Sequence, residues 1–228
     1  MESKERNKIF VSTYLPFLFV LILFALKIAE HRFGWDAVKW GIYPKELHGL
    51  KGILTSPFIH GDFRHLFNNA VPLIILGTAI MYFYQQIAGK VVVMIVLFEG
   101  LLTWIFGRPS YHIGASGLLY GLFAFLLISG FVRNNNNLKA ISFLVAFIYG
   151  SLVWGILPID PKISWESHLF GLIVGIVLAI AYRKQGPPVK AYFEDEEDDE
   201  EDEDDYWNTG NADEIVQYHI RQNSRSSD

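Results

Sequence analysis

The chain has 228 residues, 51% hydrophobic and 15% aromatic, and no cysteine, which excludes disulfides, Cys-ligated zinc, iron–sulfur clusters and a cysteine nucleophile. Its formal charge of −5 balances 19 Lys and Arg against 24 Asp and Glu, but twelve of the acids form one unbroken run, residues 194–205, and the other 216 residues carry a net +7. The basic residues are scattered between apolar blocks rather than gathered on a stripe, which argues against nucleic acid as a partner.

Six apolar stretches follow in chain order, at residues 9–28, 66–84, 91–106, 116–131, 138–157 and 168–182. A helix crosses a hydrocarbon core of ~30 Å with about 20 residues. The first and fifth stretches meet that length and the second nearly does. The third, fourth and sixth are shorter, and their polar first turns can sit below the membrane surface if the bundle covers them. The first stretch has a basic start in Lys4, Arg6 and Lys8, like a secretory leader. It is as long as a spanning helix, however, and no small-x-small cleavage site follows at Lys27-Ile28-Ala29-Glu30, so it predicts a retained helix.

Lys and Arg near the helix ends set the orientation. With the N-terminus inside, Lys4, Arg6, Lys8, Lys90, Arg133, Lys139, Arg183 and Lys184 are cytoplasmic, and the two short outer loops carry only Arg108 and Lys162. The long first loop, residues 30–64, holds Arg32, Lys39, Lys45, Lys51 and Arg64, but also Trp35, Trp40 and Tyr43, whose amphipathic rings suit the outer interface. The expected organisation is an all-α membrane protein: a cytoplasmic N-terminus (1–8), a six-helix membrane domain (9–185) and an acidic, mostly disordered cytoplasmic tail (186–228). No Arg- and Ser-rich leader is present, so a bacterial-type plasma membrane is the expected address.

Polar groups inside membrane spans are costly and are functional candidates by default. The second stretch is preceded by His60-Gly61-Asp62-Phe63-Arg64-His65 and carries Asn69; the fourth opens Gly114-Ala115-Ser116-Gly117; the sixth opens Ser167-His168. With the N-terminus inside, even-numbered helices all begin at the outer face, which puts His65, Asn69, Ser116 and His168 at one depth. A hydroxyl becomes a nucleophile when a base takes its proton, and imidazole is the usual base. Ser116 and His168 supply that pair if the fourth and sixth helices touch. Gly117-x-x-x-Gly121 and Gly171-x-x-x-Gly175 are small faces that allow close approach. The Ser116 N–H, with His65 and Asn69 at i and i+4 on one helical face, could donate to a developing oxyanion.

These residues carry a resemblance. The set His60-x4-His65-x3-Asn69, Gly114-Ala115-Ser116-Gly117-x2-Tyr120 and His168-x2-Gly171-x3-Gly175 resembles the rhomboid intramembrane serine proteases, three motifs in order on alternate helices. The resemblance implies a six-helix rhomboid-like bundle and a Ser–His dyad without an acid, Ser116 as nucleophile and His168 as base. It implies oxyanion and substrate-binding roles around His65, Asn69, Gly114 and Tyr120, with Tyr120 packing near His168. It also implies transmembrane-protein substrates, cleaved near the outer surface of the bilayer, and no metal or cofactor. One departure lies in the first loop, where Leu50-Lys51-Gly52 stands in place of a Trp-Arg pair common in the family.

Blander readings stand beside these. Ser116 could be a small packing residue, His168 a helix-start histidine, and His65 with Asn69 a buried hydrogen-bonded pair. His60 could orient the first loop, help admit water, or sit at the interface; His112 reads as a loop residue. Glu99 reads as a protonated or hydrogen-bonded acid bridging helices, and Glu166 and Asp160, which could form a triad with His168, read as solvated loop acids. Asn134 to Asn137 read as a turn. The acidic run reads as a solvated segment, with a docking tail for a basic partner or divalent cation as the alternative, and the segment from Asn211, which opens with a capping pattern, reads as a frayed end, with a short partner-binding helix as the alternative. Two other functions compete with proteolysis: a catalytically silent relative that binds transmembrane helices, and a small transporter, for which an internal repeat would be expected and none is evident.

Overall fold

In the computed structural model, residues 3–148, 155–159 and 163–186 are described; the acidic run, Asp160 and the segment from Asn211 lie outside them. Helix α1 (Ser3–Phe33) continues beyond both ends of the stretch expected at residues 9–28, because the polar residues that flank the apolar run are themselves helix formers. Pro16 sits inside it. A methyl on Gly77 of helix α3 (Phe63–Phe83) would come within 2.9 Å of the Pro16 ring, so the proline bend packs into a small-residue notch.

The first loop is ordered through short turns, Ala37–Trp40, Leu47–Gly49, Ser56–Phe58 and the four-residue helix α2 (Gly52–Thr55). Trp35 and Trp40 are about half exposed, and Lys51 lies 4.2 Å from the centre of the Trp40 ring. The loop is tied to α1 by Lys27, whose Nζ donates to the carbonyls of His60 (2.8 Å) and Gly61 (2.9 Å) and pairs with Glu30. A half-buried lysine in the last two turns of α1 thus satisfies backbone acceptors of the first loop.

Helix α3 begins three residues before the expected stretch. Asp62 caps it by accepting from the His65 N–H at 2.7 Å, and that bond holds the Asp62 carboxyl below its ordinary range. Helix α4 (Ala88–Phe106) and helix α5 (Ser116–Val132) follow. Asn134 takes a left-handed turn and Asn135 Oδ1 accepts from the Leu138 N–H, so the last two of the four asparagines open helix α6 (Asn136–Ile148) rather than extend the turn. Residues 155–157, expected within the fifth span, are turn and not helix. Helix α7 (Trp165–Ala181) starts three residues before the expected stretch.

By length and composition α1, α3 and α4 can each cross a membrane, and α5 and α7 are shorter and apolar. The short α5 is the most enclosed helix, buried over most of its surface, while α1 presents Phe10, Tyr14, Phe17 and Leu21 outward. That distribution suits a bundle with lipid outside and α5 at its centre. Its most extensive packing is against α7. A methyl on Gly171 would sit on the Gly117 carbonyl oxygen, and one on Gly175 on that of Gly121, so the two small faces meet backbone to backbone. No strand occurs among the described residues; one isolated antiparallel bridge joins Ile42 to His112.

Candidate active site

Three helix starts converge. His65 lies in the first turn of α3, Ser116 is the first residue of α5, and His168 is the fourth of α7. The glycine contacts between α5 and α7 bring the last two together: His168 Nε2 lies 2.7 Å from Ser116 Oγ. On the other side of the ring, His168 Nδ1 lies 2.8 Å from the Gly155 carbonyl. A carbonyl only accepts, so Nδ1 carries the proton and Nε2 is left with a lone pair facing the serine hydroxyl. Both side chains are buried, and the Tyr120 ring stacks on His168 with centroids 4.3 Å apart and planes within 11°. The imidazole is held by a bond at one nitrogen and a ring face, and its free nitrogen is aimed at one hydroxyl.

The opposite wall is built around Gly114. Its φ of +107° is a conformation side chains rarely adopt, and its N–H donates to the Ser56 carbonyl at 2.9 Å. A methyl there would also lie 2.9 Å from the His65 ring and 3.6 Å from Asn69 Nδ2. Two side chains one turn apart on α3 therefore converge on the backbone that leads into Ser116. Asn69 is buried, and its Nδ2 has no hydrogen-bond partner among the described residues. An idle buried donor is costly, and such groups are kept where a ligand will use them. As the first residue of α5, Ser116 has an N–H that the helix itself cannot satisfy.

His60 lies beside this wall, its ring 5.1 Å from that of His65 and its Nε2 3.5 Å from the Ala115 N–H. Burial, with His65 and Lys27 close by, pushes its pKa down to about 3, so it is neutral and able to accept.

One of the two acids expected to be solvated requires a correction. Glu166 is buried rather than solvated: it accepts from the Arg108 N–H at 3.3 Å and pairs with the Arg108 guanidinium at 3.5 Å, which in turn donates to the Ile163 carbonyl. His112 bonds to Ser164 and to the Arg108 carbonyl. This cluster fastens the segment before α7 to the α4–α5 loop. Glu99 does bridge helices, with Oε2 accepting from Ser167 at 3.0 Å and Thr103 at 3.4 Å.

Sequence reading had no access to Gly155, which acts through a backbone carbonyl. It also missed Arg108, Ser164 and Ser167, whose partners lie more than fifty residues away along the chain.

Comparison with known proteins shows the family. The Rhomboid domain family matches residues 48–185. The chain is 34% identical over 188 residues to the uncharacterized protein Rv1337 of Mycobacterium tuberculosis, covering 76% of this chain and 75% of that one. It is 27% identical over 138 residues to YdcA of Bacillus subtilis, named as a candidate rhomboid protease, covering 56% of this chain and 64% of that protein. It is also 27% identical over 139 residues to RHOMBOID-like protein 1 of Arabidopsis thaliana, covering 59% of this chain and 35% of that protein.

Proposed function

The chain belongs to the rhomboid family and is an integral membrane protein with apolar helices, and from that premise we propose that it is a serine endopeptidase that cleaves transmembrane-protein substrates with a Ser116–His168 dyad. The observation that carries the reading is the pair of bonds on one imidazole, Nε2 to Ser116 Oγ at 2.7 Å and Nδ1 to the Gly155 carbonyl at 2.8 Å. A silent relative would need neither a hydroxyl on that nitrogen nor an orienting acceptor behind it.

The chemistry runs as follows. Ser116 Oγ attacks the scissile carbonyl carbon while its proton passes to His168 Nε2, and the carbonyl oxygen becomes an oxyanion beside the Ser116 N–H, Asn69 Nδ2 and the His65 ring. When the C–N bond breaks, the leaving amine takes the proton from His168. The acyl ester on Ser116 is then attacked by a water that His168 deprotonates, and the imidazolium returns that proton to Ser116 Oγ as the ester C–O bond breaks and the acid product leaves. The imidazolium formed at each step keeps its Nδ1–H bond to Gly155, so no carboxylate is needed to hold the ring.

The bundle is read as six spans with both termini on the cytoplasmic side. That places the dyad near the outer surface, where a substrate helix can unwind and water can arrive. The test is cleavage of a single-span substrate by purified protein, with Ser116→Ala and His168→Ala as controls of folded, inserted protein. Loss of cleavage in both supports the reading, and unchanged cleavage in Ser116→Ala overturns it.

A further inference from the structure

Glu99 is the one carboxyl in the middle of α4, and only 2% of it is exposed. No cationic side chain pairs with it among the described residues; its recorded partners are two hydroxyls, Ser167 at 3.0 Å and Thr103 at 3.4 Å. A group so costly to bury has to be held for a reason that an apolar side chain of the same size would not serve.

Its place in the bundle supplies one. Ser167, which donates to Glu99, is the residue immediately before His168. Gly117, immediately after Ser116, faces the other carboxyl oxygen and the hydroxyl bonded to that carboxyl: a methyl on Gly117 would lie 2.5 Å from Glu99 Oε1, 2.5 Å from Ser167 Oγ and 2.6 Å from Glu99 Cδ. The carboxyl therefore occupies the space a side chain at 117 would need, and grips α7 one residue from the base. A neighbouring contact sets the same distance from another side, since Gly171 rests on the Gly117 carbonyl. Three helices meet at this point, and two of them carry the dyad.

Resting on the protease reading above, we infer that Glu99 is a positioning residue that fixes the separation of Ser116 and His168 by hydrogen-bonding Ser167 and packing against the bare face of Gly117. The carboxyl works here as a hydrogen-bond acceptor of defined shape, so an amide can replace it and a hydrocarbon cannot. Gly117 is bare where the hydrogen-bonded Glu99–Ser167 pair packs, so positions 99 and 117 are energetically coupled through that pair.

The test uses the purified full chain, with cleavage of a single-span substrate, fluorophosphonate labelling of Ser116 and the thermal unfolding midpoint read together. Glu99→Leu is expected to lower kcat roughly ten- to a hundredfold with little change in KM, because the dyad is displaced while substrate binding is not. Glu99→Gln is expected to restore kcat to within about threefold of the parent. Gly117→Ala alone is expected to abolish labelling, and Glu99→Ala combined with Gly117→Ala to label faster than Gly117→Ala alone, since the carboxyl is gone and the Ser167 hydroxyl, released from its bond to it, can turn away from the methyl. Parental kcat in Glu99→Leu, a Glu99→Gln variant as slow as Glu99→Leu, or a double variant no faster than Gly117→Ala would each overturn the inference. The double variant decides the matter should Glu99→Leu fail to insert. Absence of cleavage and labelling in the parent protein would overturn the protease reading itself, and this inference with it.

Discussion

The carbonyl oxygen of Gly155 holds His168 Nδ1 at 2.8 Å, in the position where a triad would place a carboxylate. A backbone acceptor fixes the tautomer and ring orientation as an acid would, without a buried charge to stabilise.

On the proposed mechanism Glu166 is not part of the reaction. Two residues before His168, it is bonded to Arg108 instead. Glu166→Gln is expected to leave kcat within about threefold of the parent. It should still lower stability by about 1–3 kcal/mol, because a buried partner of Arg108 is weakened. Steady-state cleavage and thermal unfolding of the same preparation check both halves.

Asn69 offers the opposite pattern. Its Nδ2 is buried and idle among the described residues, so removing it costs little until a negative charge develops beside it. Asn69→Ala is expected to reduce kcat by about 10²-fold with KM nearly unchanged, as for loss of one oxyanion donor. A change in KM alone, measured over a substrate titration in detergent or vesicles, would remove Asn69 from that role.

The approach of α5 to α7 should be intolerant of a single carbon. A methyl on Gly171 would overlap the Gly117 carbonyl, and neither backbone can move without separating Ser116 from His168. Gly171→Ala is expected to cut fluorophosphonate labelling of Ser116 by more than about tenfold and to lower the unfolding midpoint. Gly89, with no heavy atom near where its methyl would go, is the matched control and should change neither.

The acidic end should be separable. The last described helix ends at Ala181, and the acidic run, residues 194–205, follows it in the sequence. Removing everything after Lys190 is expected to leave cleavage of a single-span substrate unchanged. A collapse of turnover at equal expression would show that the run acts on the catalytic body.

The residues most legible in the sequence were those whose types and intervals carry their meaning. Ser116, His168, His65 and Asn69 stand out because polar groups at the heads of apolar helices are rare. The four glycines on α5 and α7 stand out because their spacing puts them on single faces. The structure places the Ser116 and His168 side chains in contact and turns the glycine faces toward each other. What stayed hidden depends on distance along the chain or on backbone atoms. Glu166 looked solvated because Arg108, its partner, lies 58 residues away, and Glu99 gave no sign of Ser167, 68 residues on. Gly155 could not be read as the partner of His168, since any residue has a carbonyl and only the fold decides where it points. The helix ends shifted for a simpler reason: hydropathy marks where apolar residues stop, whereas Asp62 shows that a cap sets where the helix begins.

The central claim is that Ser116 is a nucleophile activated by His168, and the most direct measurement is the rate at which a fluorophosphonate labels purified protein, followed by mass mapping of the modified residue. The expected result is stoichiometric labelling at Ser116 in the parent, none in Ser116→Ala, and a rate at least about 10³-fold lower in His168→Ala, with substrate cleavage falling in step. Labelling elsewhere in the chain, or cleavage that persists in Ser116→Ala, would contradict it.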